Sequence, residues 1–294
     1  MNIRAKFSGF LLTLQLLTLM FLSLFSTLSV AADKNHDPNE LLFGSVAMDI
    51  PVVMHQRLKP LTRYLSLRLH RPVSLKLSPN MGDAIREVAD KKVQLAYLTP
   101  VAYLRAHQYG NARLIAKTIT NGKASFQLMI VVKENSPYKT VADLKGKRFA
   151  FGDKRALLQR AAVVGAGIKL EDFSKYRFIG HYDNIARAVM NGDFDAGIVK
   201  DTMAFQWQGK GLRILYASPH LPPYNITANG DISDKLAAEL KTAFLELNPK
   251  NPEDLKVIKA VDKDYDGFAE TSDAEYDIVR KLIAPFKNAN SPIE

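Results

Sequence analysis

The sequence predicts an α/β protein built as two lobes, and three observations predict it. Strand-like apolar runs alternate with helix-like segments along nearly the whole chain. The alternation stops near residue 120 and then restarts. The 294 residues, 47% hydrophobic and 24% charged, suit one large or two medium domains and speak against a disordered, collagenous or coiled-coil chain.

In the first block Leu41 to Val46 reads as a strand, and Val52 to Leu69 carries Val52, Leu58, Leu61, Leu65 and Leu69 at near-helical spacing. Val73 to Leu77 (strand), Met81 to Ala89 (helix), Val93 to Leu98 (strand), Val101 to His107 (helix) and Ala112 to Ala116 (strand) follow. This order favours a parallel sheet with helices on both faces. In the second block the strands are Phe126 to Val132, Arg148 to Phe151, Tyr176 to Ile179, Ala196 to Val199 and Leu212 to Ala217. Between them lie helices at Val141 to Leu144, Ala156 to Val164, Asn184 to Met190 and Thr202 to Trp207. A strand at Tyr224 to Thr227 then precedes helical stretches at Lys235 to Leu247, Glu253 to Ala260 and Ala274 to Ile283.

The chain is expected to cross between lobes near Thr118 to Phe126 and again near Gly211 to Ser218. One lobe then comprises residues 33–118 and 215–294, the other 119–214. Ligands of open α/β sheets sit beyond the carboxyl ends of the strands, so two such lobes make a cleft that closes about a hinge.

Residues 1–32 are expected to be a secretory signal outside the fold. Arg4 and Lys6 form a basic start, Phe10 to Val30 carry no charge, and Val30-Ala31-Ala32 offers a cleavage site. The uncharged run of 21 residues is long enough to span a bilayer, so an uncleaved anchor is the alternative. The absence of cysteine excludes disulfides, thiolate metal sites and a cysteine nucleophile. The net charge of +10 reads as a solvated basic surface; without an arginine-rich tract or a basic motif interleaved with aromatics, no nucleic-acid partner is expected.

Other motifs are weaker. Asp262-Lys263-Asp264-Tyr265-Asp266-Gly267 followed by Asp273 begins like a calcium loop but lacks the glutamate at position twelve. No two of the histidines stand three or four apart, so there is no helical zinc pair. Gly165-Ala166-Gly167 ends a helix and is no dinucleotide fingerprint, and neither a nucleophile elbow nor a P-loop is present. Asp183, Asp193, Asp195 and Asp201 cluster around one helix and the next strand; Asp183 is expected to cap that helix and Asp201 to face the cleft. No catalytic residues, metal or cofactor are expected.

Several blocks carry a resemblance: Phe43-Gly44-Ser45; Val93 to Pro100 with Tyr103; Asp143-Leu144-Lys145-Gly146-Lys147 leading into Phe149-Ala150-Phe151-Gly152-Asp153; and Gly180 to Asn184 with Ala188-Val189. Together they resemble the phosphate/phosphite/phosphonate solute-binding proteins of ABC transporters, over nearly all of the chain after the leader. The resemblance implies a type II periplasmic-binding-protein fold. It also implies a periplasmic, non-catalytic, monomeric clamp that captures a small anionic solute and docks on a membrane permease. The alternative is a sensor that signals to a membrane histidine kinase.

The resemblance also supplies the candidate ligand site. Asp153, Arg155 and Ala156 stand between a strand end and a helix start, where backbone amides and the helix dipole favour an oxyanion; Thr99 and Pro100 occupy the same station in the first lobe. Met48, Met81, Tyr103, Phe126, His181, Tyr182 and Asp201 complete the set. Four positions depart from the family pattern. Lys154-Arg155-Ala156-Leu157 replaces its serine/threonine cluster, Tyr182 its histidine, Met81 a tyrosine and Phe126 another tyrosine. Arg155 could compensate as a bidentate fork.

Overall fold

The computed structural model describes residues 39–46 and 51–286, so the leader at 1–32 and Met48 lie outside the described residues. The strands form two sheets. The first has the order β11-β4-β10-β3-β1-β2, from β1 (Leu41–Val46), β2 (Val73–Ser78), β3 (Leu95–Leu98), β4 (Arg113–Thr120), β10 (Asn225–Ala228) and β11 (Tyr265–Ala269). The second has the order β7-β6-β8-β5-β9, from β5 (Leu128–Lys133), β6 (Arg148–Phe151), β7 (Lys175–Phe178), β8 (Ala196–Lys200) and β9 (Leu212–Ala217).

Both sheets are mixed, where the alternation had favoured parallel pairing. β10 runs antiparallel to β3 and β4, β11 antiparallel to β4, and β5 antiparallel to β8 and β9. The chain reaches β5 and β10 directly from the other sheet, without the crossover helix that a parallel neighbour requires.

Helices cover both faces of each sheet. On one face of the first sheet, α1 (Pro51–Leu69), α7 (Asp234–Leu245) and α8 (Pro252–Val261) bury Leu58, Leu61, Leu65, Leu240, Phe244 and Ile258 against Phe43, Leu95 and Ile226. On the other, α2 (Met81–Ala89) and α3 (Pro100–Gly110) bury Ile85, Val88, Ala102 and Ala106 against Ala96 and Leu98. Local chemistry starts these helices where they start. Asn80 accepts from the Asp83 amide, Ser233 from that of Leu236, and Asn251 caps α8 with Pro252 in its first turn.

Around the second sheet, α4 (Leu157–Gly165) packs with Phe149, Phe151 and Ile130, while α5 (Tyr182–Asn191) and α6 (Asp201–Trp207) pack on the opposite face. α5 lies close because β8 carries Gly197, where a Cβ would come within 2.4 Å of Ile185 Cγ2. Among the described residues no helix is long and apolar enough to cross a membrane.

Two segments join the sheets and run side by side. Phe126 and Leu221 exchange backbone hydrogen bonds of 3.0 and 2.8 Å, and the Thr118 amide donates to Tyr224 at 2.9 Å. β9 pairs with β5 as far as Ala217, so the return connection, expected at Gly211 to Ser218, runs from Ser218 to Tyr224. The C-terminal α9 (Asp277–Ile283) then leaves the first sheet and leans on α4: Val279 and Ile283 join the core of the second sheet, and a Cβ on Gly165 would stand 2.7 Å from Leu282. Grouping all of 215–294 with the first sheet therefore misplaces this helix, whose apolar side finds its partner in α4.

Candidate functional site

The carboxyl ends of the strands of each sheet lead into the segments that hold most of the candidate residues. In the first sheet β3 ends at Leu98 and α3 begins at Pro100. Thr99 is the N-cap, its hydroxyl accepting from the Ala102 amide at 3.2 Å, and Pro100 presets the first turn. Beside this turn stands a group of tyrosines outside the candidate ligand set. Tyr97 stacks on Tyr224 with ring centroids 5.1 Å apart, and its hydroxyl meets that of Tyr265 at 2.5 Å. Burial pushes all three phenols above the ordinary tyrosine pKa, so they are neutral hydrogen-bonding groups.

In the second sheet β6 ends at Phe151 and the chain turns through Gly152, Asp153 and Arg155 into α4. Asp153 and Arg155 were expected to stand at the ligand, Arg155 as a fork for an anion. Instead they engage each other: the Arg155 amide donates to Asp153 Oδ1 at 2.7 Å, and its Nη2 donates to Oδ2 at 3.2 Å. Burial raises the Asp153 carboxyl, but the Arg155 side chain and amide outweigh it and hold the group below the usual carboxylate range. The N-cap is Ala156, which has no side-chain acceptor, so the first amides of α4 turn to backbone carbonyls: Leu157 donates to Arg155 at 2.8 Å and Gln159 to Ala156 at 3.1 Å.

Beneath this turn lies a relay that the candidate set missed. The Gly152 amide donates to Gln159 Oε1 at 2.8 Å, and Gln159 Nε2 donates to the Tyr182 hydroxyl at 3.3 Å. A Cβ on Gly152 would lie 2.7 Å from Gln159 Nε2 and 2.9 Å from the Gly180 carbonyl, so the glycine makes room for the carboxamide. A signal was present in the sequence: Gln159 is a polar residue among Leu157, Leu158, Ala161 and Ala162.

Tyr182 opens α5 and is half-buried, packed against both cores of the second sheet. Burial and then the phenol of Tyr224, at the end of the return connection, push its phenol pKa up. His181 is the exposed N-cap of α5 and makes no capping hydrogen bond. Asp183 was expected to cap this helix; it lies in the first turn, because α5 begins at Tyr182, two residues earlier than the sequence spacing suggested.

The remaining candidates serve packing or the connections. Asp201 is buried, and its two oxygens accept from the Gln127 amide at 3.0 Å and the Thr202 amide at 2.8 Å, pinning the start of β5 to α6. Phe126 lies in the paired connection, with the Lys200 ammonium 5.6 Å from its ring centroid. Met81 packs against the core under α2. Tyr103 is buried and donates to Asp273 Oδ1 at 2.5 Å, which ties α3 to the segment before α9.

The calcium-like loop is not a loop. Residues 265–269 are β11, and Asp266 pairs with Lys259 and accepts from the Gly122 amide while Asp264 pairs with Lys263. Among the described residues no group of three or more His, Cys, Asp and Glu could hold a metal ion.

Comparison with known proteins agrees with this architecture. The family profile described as "ABC transporter, phosphonate, periplasmic substrate-binding protein" matches residues 43–276. Among solved structures, XAC2383 from Xanthomonas citri bound to ATP is similar with a TM-score of 0.70 at 17% identity, covering 84% of this chain and 96% of that one. PhnD1 from Prochlorococcus marinus in complex with methylphosphonate gives 0.68 at 20% identity, covering 85% and 99%. The periplasmic aliphatic sulphonate binding protein SsuA from Escherichia coli gives 0.54 at 19%, covering 87% and 94%. These likenesses show a type II periplasmic-binding-protein fold. Matched over 43–276, the chain belongs to the periplasmic substrate-binding protein family of phosphonate ABC transporters, a family of transport proteins and not of enzymes.

Proposed function

We propose that this substrate-binding protein captures a small solute with an oxyanion head between the strand ends of its two sheets, and holds that head mainly through neutral donors. The observation that carries the reading is the makeup of the two facing ends. Thr99 and Tyr224 stand at the end of the first sheet, Tyr182 and the turn into α4 at the end of the second, and the cation of that turn, Arg155, is paired with Asp153. Hydroxyl and amide donors satisfy an anion's oxygens without a formal counter-charge.

In this reading the halves move as two lobes, one around the first sheet and one around the second with α9, and they close about the paired connections at Phe126 and Leu221. The closed form docks as a monomer on its permease after the leader has directed the chain to the periplasm. The methylphosphonate held by PhnD1 and the sulphonate named for SsuA are the oxyanions to try first. Isothermal titration of the protein lacking residues 1–32 against methylphosphonate, phosphite, phosphate and methanesulfonate tests the proposal. Micromolar or tighter binding of at least one is expected, and failure of all four to bind below millimolar concentration overturns it.

A further inference from the structure

We infer that Tyr182 is a specificity-determining residue that acts as an obligate proton donor to the ligand head, and that Gln159, seated on Gly152, is the positioning residue that imposes this role. The inference rests on the oxyanion reading above and deepens it.

The argument follows from which atoms can donate. A backbone N–H can only donate, so the contact from the Gly152 amide at 2.8 Å identifies the Gln159 atom facing it as the carbonyl oxygen Oε1. The other end of the carboxamide must then be the NH2 group, which also can only donate, and it meets the Tyr182 hydroxyl at 3.3 Å. The phenol oxygen is thereby the acceptor, and its own proton has to be given elsewhere.

Nearby carboxylates do not take that proton. Asp201 accepts from two backbone amides and Asp153 is engaged by Arg155. No hydrogen bond from the Tyr182 hydroxyl to a protein acceptor is formed among the described residues. The proton is left for a guest oxygen, and because burial raises the phenol's pKa it stays in place through the neutral range.

The chemical consequence is a preference. A head presenting an unprotonated oxygen at this point gains a charge-assisted hydrogen bond, whereas a P–OH there accepts more weakly and must send its own proton elsewhere. An imidazole at the same position would titrate near neutrality and make affinity pH-dependent; Tyr182 keeps it flat.

The test uses the protein lacking residues 1–32, with methanesulfonate and methylphosphonate as probes and titrations from about pH 5.5 to 8.5. Methanesulfonate stays a monoanion throughout this range, so any pH dependence it shows belongs to the protein. With whichever probe binds more tightly, Tyr182→Phe is expected to weaken binding about 10–100-fold, the loss of one donor to a charged acceptor. Gln159→Leu is expected to weaken it less, and to add under about twofold once Tyr182→Phe is present, because the two act as one unit. Tyr182→His is expected to bind methanesulfonate progressively more weakly as pH rises, where the parent is flat.

A Tyr182→Phe variant that binds within twofold of the parent overturns the inference, as does an undiminished Gln159→Leu effect in the Tyr182→Phe background. Amide hydrogen exchange at Gly152 gives a readout without ligand. Gln159→Leu should accelerate it and Tyr182→Phe should not; unchanged exchange in Gln159→Leu overturns the relay. If the parent binds neither these probes nor phosphite or phosphate, the oxyanion reading fails and takes the donor role with it, while the Gly152 exchange still decides whether Gln159 holds the turn.

Discussion

The turn before α3 and the turn before α4 stand at equivalent places, each joining a buried strand to a helix at the carboxyl end of its sheet. They are finished differently. The first is closed from within, since Thr99 accepts from the Ala102 amide and Pro100 supplies the preset first turn. The second has no side-chain cap: Ala156 offers no acceptor, Asp153 is engaged by Arg155, the Leu157 and Gln159 amides go to the Arg155 and Ala156 carbonyls, and the side chain that organises the turn, Gln159, comes from within the helix. A side-chain cap fixes a helix start locally, whereas a start held by backbone turns and by a side chain from inside the helix depends on how that helix is packed. In the proposed function the cap makes the first turn the more rigid support, and Gln159 with Tyr182 makes the second the turn that adapts to the ligand head.

The largest effect is expected at the second turn. Gly152→Ala places a methyl 2.7 Å from Gln159 Nε2 and 2.9 Å from the Gly180 carbonyl. The carboxamide can swing away but the backbone oxygen cannot without moving β7, so about 1–3 kcal/mol of stability should be lost in a denaturant titration. Tyr103→Phe removes a donor from the Asp273 carboxylate and is expected to cost about 1.5 kcal/mol. If α3 is support, oxyanion affinity should stay within twofold in this variant; a large loss of affinity would return Tyr103 to the ligand site and break the comparison.

Thr99→Ala should cost about 1 kcal/mol, the usual loss for a helix N-cap, while Ala156→Ser should gain a fraction of that by giving α4 a side-chain acceptor. Opposite signs at the two turns in paired thermal melts would sharpen the contrast. The smallest effect concerns acid. Asp153 is held below the usual carboxylate range, so its share of stability is fully present above that range and is lost as pH falls through the folded value. The pair is half-exposed and worth at most about 1 kcal/mol, so Asp153→Asn should slightly flatten the acid limb of stability against pH and change little at pH 7.

Much of the fold was legible in the residues. The fully buried run Leu95 to Leu98, the near-helical spacing in α1 and the caps at Asn80 and Thr99 are local patterns, and local patterns survive folding. β11 was not legible, because Tyr265 to Ala269 has Asp266 and Gly267 interrupting its apolar residues and becomes a strand only by pairing with β4. The candidate site was legible in part. Gly152, Asp153 and Tyr182 stand in recognisable blocks, but Gln159 and Tyr224 belong to no motif, and they meet Tyr182 only once the helices are packed.

By itself the sequence determined that the chain would be a two-block α/β protein of this transport family, since periodicity, caps and motif blocks depend on neighbours close along the chain. Only the tertiary structure decided where the C-terminal helix rests, which strands run antiparallel and which side chains spend their hydrogen bonds on the protein itself. Arg155 shows why. As a letter beside a strand end it offers a fork for an anion, but whether that fork is free depends on the distance to Asp153, and distances between side chains exist only in the folded chain.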